Sequence, residues 1–150
     1  MTATVSPPAA PWAYTLTLPN DPRAPGVARR TLRTVLAAHG MSGLADTAEL
    51  LASELVTNAH RYSSEPYTLR LRTLQGPDRL RVSVWDANPV IPPPFRGPLA
   101  QPPDCEAERG RGLLLVQLCA DSWGACELQG GVHGSGGKLL WVECQWGDLS

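Results

Sequence analysis

Charge of one sign is what this 150-residue chain lacks most plainly: 13 Lys and Arg face 14 Asp and Glu, leaving a formal net charge of −1. Such a balance supplies no global field to gather nucleic acid or a membrane surface. Long hydrophobic runs are missing as well, and nothing approaches the ~20 apolar residues of a membrane span. The opening MTATVSPPAAPWAYTL has neither a basic start nor a continuous apolar stretch, so it does not read as a secretory signal. Cysteine is sparse, and Cys105, Cys119, Cys126 and Cys144 never stand as C-x-x-C; the three histidines are scattered. That spacing argues against a metal cage or a disulfide framework and fits thiols in a reducing cytoplasm. No GKS or GKT occurs, which excludes the P-loop.

What is present suffices for one domain with a real core and not for two. Proline and glycine are clustered. Seven of the 15 prolines fall between Pro89 and Pro103, and five of the 14 glycines between Gly130 and Gly137. Both stretches are loop material. Residues 1–12 read as a flexible N-terminal segment and 13–150 as a single domain.

Within that domain Ala13–Leu18 alternates as an edge strand. Asp21-Pro22 starts a helix to about His39, with Val27, Ala28, Leu32, Val35 and Leu36 inward and Arg29, Arg30 and Arg33 on a solvated face. A second helix is expected from Leu44 to Tyr62. Strands Tyr67–Leu74 and Arg79–Asp86 follow, joined by a hairpin turn. Arg109-Gly110-Arg111-Gly112 opens a third helix ending near Ala120. Strands Ser122–Leu128 and Lys138–Trp146 close the chain. The expectation is an α+β two-layer sandwich, with a mixed, mostly antiparallel sheet and helices on one face.

Three features do not fit a plain core. On the second helix Ala48, Leu51, Leu55, Ala59 and Tyr62 form one apolar stripe. Asn58 lies at its edge, and Glu54 is one turn earlier. An amide facing a core must find partners; it either bonds nearby backbone or lines a cavity where its oxygen could ligate a hard cation. Asp86 continues the face of Leu80, Val82 and Val84. It is either a strand-end cap or an acceptor for a ligand's exocyclic amine, with Trp85 on the opposite face. Finally, Glu108-Arg109-Gly110-Arg111-Gly112 is either a flexible loop entering a helix or a set of exposed N–H groups suited to an anion.

The order ELVTNAHRYS, VSVWDANP, ERGRGLLLVQLCADSWG, GGKLLWVE resembles the GHKL (Bergerat-fold) ATPase superfamily, and most of all its small stand-alone anti-sigma factor serine kinase type. The resemblance spans about residues 13–146. It implies ATP as the ligand, with Asn58 coordinating Mg²⁺ between protein and phosphates and Glu54 as catalytic base. It further implies Asp86 on the adenine amine, Gly110 and Gly112 around the phosphates, and Arg109 and Arg111 as auxiliary contacts. Residues 88–108 would be the lid. Implied partners are a sigma factor and an anti-sigma factor antagonist whose hydroxyl is phosphorylated, and a homodimer is compatible with the likeness. The implied protein is cytoplasmic, off the membrane and not itself bound to nucleic acid.

Three departures accompany the likeness. Asp86 is followed by Ala87-Asn88-Pro89 instead of the glycine-bearing box. Leu139 stands where a threonine is frequent, removing a hydroxyl expected near the base. His60 replaces an aliphatic residue. The first two motivate the alternative of a non-catalytic regulator that holds a partner with a degenerate or unused nucleotide pocket.

Overall fold

Two helices inserted between the first two strands decide how the sheet is wound. The computed structural model describes residues 10–74, 79–95, 120–128 and 136–145. Among them the chain runs β1 (Ala13–Leu18), α1 (Ala24–Ala38), α2 (Ala45–Tyr62), β2 (Tyr67–Thr73), β3 (Arg79–Asp86), β4 (Ser122–Leu128) and β5 (Gly137–Gln145). Short 3-10 turns at Ser42–Leu44 and Pro93–Phe95 complete the set.

The strands lie in the order β1-β2-β3-β5-β4 and every neighbouring pair is antiparallel. A single crossover helix would bring the next strand back parallel, whereas an antiparallel helix pair brings it back reversed. The described sheet is therefore wholly antiparallel rather than mixed. The α+β two-layer sandwich is otherwise as expected: α2 packs across β2, β3 and β5, and α1 packs on α2.

Pairing register separates the two faces of the sheet. Leu80, Val82, Val84 and Asp86 share the helix-facing side with Cys144, Val142, Leu140 and Lys138, their partners on β5. Leu69 and Leu71 of β2 extend that side, and α2 answers with Leu51, Leu55 and Ala59, all buried. Two expected core residues are not in the core. Val27 is 43% exposed and Tyr62 39% exposed, because the inward arc of each helix runs narrower at those ends.

The start of α1 also falls later than the Asp21-Pro22 signal suggests. Asp21 accepts from the Arg23 backbone N–H at 2.8 Å, a local turn that delays the helix until Ala24. At the other end Gly40 adopts φ +71°, and Met41 N–H reaches back to the Leu36 carbonyl at 2.8 Å. That left-handed closure turns the chain towards α2. Arg33 then ties the helices together through Asp46 and Glu49. The segment expected to form the third helix lies outside the described residues up to Ala120.

The outer face carries its own cover. Trp141 pairs with Gly124 and lies against it, with the Arg81 guanidinium 4.3 Å from the ring centre on top. Arg79 and Arg81 converge on Glu143, which also accepts from Ser122 at 2.7 Å. Although burial alone would raise it, the Ser122 hydroxyl and these guanidiniums hold the Glu143 carboxyl below the usual range. A Cβ at position 124 would sit closer than 3.0 Å to three atoms of the indole. Gly124→Ala is therefore expected to destabilise the domain by roughly 1–3 kcal/mol through overpacking. Urea unfolding followed by tryptophan fluorescence would read it, and an unchanged midpoint would show that the ring simply moves aside.

Candidate functional site

One end of the α2–β3–β5 layer collects the polar groups that the core does not need. Asn58 is only 6% exposed, and its Oδ1 is buried with no hydrogen-bond partner among the described residues. Glu54, four residues earlier on the same face, is half-buried and makes no ion pair among those residues. A carboxylate and an amide oxygen thus stand one turn apart on one face of α2, the amide oxygen without a donor among the described residues. Among the described residues no backbone N–H donates to the Asn58 oxygen.

Asp86 ends β3 on the same side of the sheet. It is 1% exposed, and its Oδ1 accepts from the Lys138 ammonium at 2.9 Å and from the Asn88 N–H at 2.8 Å. Burial pushes the Asp86 carboxyl above the usual carboxylate range, and Lys138 and the Asn88 N–H draw it back. Lys138, also 1% exposed, donates further to the Asn88 carbonyl at 3.0 Å. Asn88 in turn donates through Nδ2 to the Tyr62 carbonyl at 2.9 Å and accepts from Val90 N–H. The last turn of α2, one turn beyond Asn58, is thereby pinned to the residues that follow Asp86 at the end of β3.

Lys138 and Asn88 are the residues that sequence reasoning missed here. Lys138 carried a signal, since a lysine in line with Leu140, Val142 and Cys144 sits on a core face and needs an acceptor. Ala87-Asn88-Pro89, noted only as a lost glycine box, supplies the backbone that organises the pair. A Cβ at Gly137 would collide with the Asp86 carbonyl, so the glycine before Lys138 is what lets β5 close on β3.

One departure loses its force. Leu139 pairs with Trp85 on the outer face, opposite to the face shared by Asp86 and Lys138. A residue there does not face the site, so its lack of a hydroxyl leaves the site's surface unaltered. His60 is half-buried, with its ring edge-on to Tyr67 and its carbonyl accepting from Asn20 Nδ2 at 3.2 Å. It anchors the entry to α1 and takes no part in the polar cluster. Arg109, Gly110, Arg111 and Gly112, and most of residues 88–108, lie outside the described residues.

The described fold is a two-layer α+β sandwich, with a buried amide, Asn58, on its helix layer and a buried carboxylate, Asp86, at a strand end. The family model for the histidine kinase-like ATPase domain matches residues 18–140. The chain belongs to that family, and the domain is accordingly an ATP-binding one. A comparison with curated proteins gives no match. Among the described residues no helix is long and apolar enough to cross a membrane.

Proposed function

We propose that this domain binds ATP with Mg²⁺ and transfers the γ-phosphoryl group to a serine or threonine hydroxyl of a partner protein, as a kinase of the anti-sigma factor type. The single observation that carries the reading is the buried Asn58 Oδ1, without a hydrogen-bond partner among the described residues, one turn from Glu54. A buried amide oxygen with no donor among the described residues suits a hard cation. Among the described residues no three His, Cys, Asp or Glu side chains converge on a metal position. A cation at Asn58 would therefore draw most of its ligands from phosphate oxygens and water, the usual habit of Mg²⁺. Its chemistry there is neutralisation of phosphate charge.

The remaining work falls to side chains. Asp86 would accept from the exocyclic amine of the base. Glu54 would take the proton of the partner's hydroxyl as that oxygen bonds to phosphorus and ADP departs. Arg109, Arg111 and the amides of Gly110 and Gly112 would hold the phosphates at the start of the next helix. The protein partners that suit this reading are an antagonist bearing the phosphorylated hydroxyl and a sigma factor that the antagonist displaces.

Glu54→Gln is expected to lower phosphotransfer by at least about a hundredfold, the scale of general-base catalysis, and to leave ATP affinity within a factor of about two. Transfer would be followed with labelled ATP and a candidate antagonist, affinity by calorimetry. Full transfer by the variant would remove Glu54 from the role of base. A second reading, a non-catalytic partner-binding module, draws on the Asp86–Lys138 pair, which satisfies the strand-end carboxylate without any nucleotide. That module would capture its partner equally well with either residue at position 54.

A further inference from the structure

The Lys138–Asp86 pair is buried like the apolar side chains of the core, yet it is polar and ends two strands beside the candidate site. Both side chains are 1% exposed, and the contact is 2.9 Å. A buried ion pair adds little stability over a well-packed apolar pair, so packing alone does not account for it. The hydrogen bonds are lopsided. Lys138 Nζ and Asn88 N–H both fall on Oδ1, and no hydrogen bond from the described residues reaches Oδ2.

We propose that Lys138 is a specificity-determining positioning residue of the nucleotide site: by tying up Oδ1 of Asp86 it presents Oδ2 as a fixed, charged acceptor for the exocyclic amine of adenine. This rests on the ATP-binding reading above and adds a residue to it. Burial pushes the Asp86 carboxyl up, and the Lys138 ammonium 2.9 Å away draws it back towards the ionised form, a pull that a lone buried carboxyl would not have. An ionised oxygen accepts and never donates, so it welcomes a 6-amino purine and repels a 6-oxo one. Asn88 fixes the rotation of the carboxylate from its own backbone. The Asn88 carbonyl holds Lys138 from the other side, at 3.0 Å.

The test compares ATP with ITP, which differ at that one position of the base. Calorimetric titrations with Mg²⁺ would use the wild type, Lys138→Met and the double variant Asp86→Asn with Lys138→Met. Wild type is expected to favour ATP by about tenfold or more, the worth of one hydrogen bond to a charged group. In Lys138→Met the neutralised carboxyl can donate to a 6-oxo group, and the preference should fall towards parity. If that variant does not fold, the double variant carries no buried charge, and its amide both donates and accepts, so the same collapse is expected. A folded variant that keeps the wild-type ratio, or binds neither nucleotide, overturns the role of Lys138. So does a wild type that binds ATP and ITP alike. A wild type that binds no nucleotide removes the ATP reading itself, a different failure.

Discussion

Asn58→Ala is expected to abolish magnesium-dependent ATP binding while leaving the domain at least as stable as before. The two halves of that outcome come from the same atom. Asn58 Oδ1 is buried and unpartnered among the described residues, so no hydrogen bond from them offsets its desolvation cost. Removing a buried unsatisfied group recovers about 1 kcal/mol or more, set against a small loss of packing for the truncated side chain. Thermal unfolding of the variant should therefore match or exceed the wild type. Calorimetry should show ATP affinity in magnesium down by on the order of a hundredfold, at least the scale seen when a metal site loses a supporting group. With the cation chelated, the two proteins should bind ATP alike. A variant that is destabilised and still binds ATP with magnesium would make Asn58 an ordinary core amide.

Asp86→Ala has the opposite profile and the largest expected cost in stability. It strands the Lys138 ammonium, 1% exposed, with only the Asn88 carbonyl as acceptor among the described residues. Removing one partner of a buried pair costs about 3–5 kcal/mol, a large share of the stability of a domain of this size. Adding Lys138→Met removes the stranded charge, and most of the loss should return. Urea unfolding of the wild type, both single variants and the double variant forms the thermodynamic cycle. Strict additivity of the two single changes would mean that the ion pair contributes nothing as a pair.

The contrast between these two residues also shows what the amino-acid order discloses. Local periodicity placed Ala13–Leu18, Arg79–Asp86 and Ser122–Leu128 with the bounds observed. It also put Asn58 at the edge of an apolar stripe and Asp86 on a core face, since each follows from neighbours a few residues away. Lys138 could not be joined to Asp86 in that way. The two are 52 positions apart, and period-2 alternation fixes a residue's face but not which strand will lie beside it. The insertion of β5 between β3 and β4 is what makes them neighbours. Asn88 was obscured for another reason, because its bonds to Asp86, Lys138 and Tyr62 run through backbone groups that side-chain patterns do not report. Val27 and Tyr62, read as inward from the stripe, lie just past the arc that neighbouring elements cover.

That strand order bears on how the chain comes to be folded as it is made. β3 is central, yet one of its flanks stays open until β5, which starts 51 positions after Asp86, slides in beside it. During synthesis at about 5–20 residues per second there is an interval of several seconds in which β1, β2, α1 and α2 are complete while Asp86 still lacks Lys138. The nascent half can bury Leu69 and Leu71 under the helices, but its β3 edge remains unpaired and its strand-end carboxylate remains in water. Closure of the sheet and completion of the site are then one event, governed by the arrival of a single strand. Long-range pairing of this kind is slow relative to local hairpins, and a ribosome stalled before residue 137 should hold a half-sheet whose open edge is the part a chaperone would have to shield.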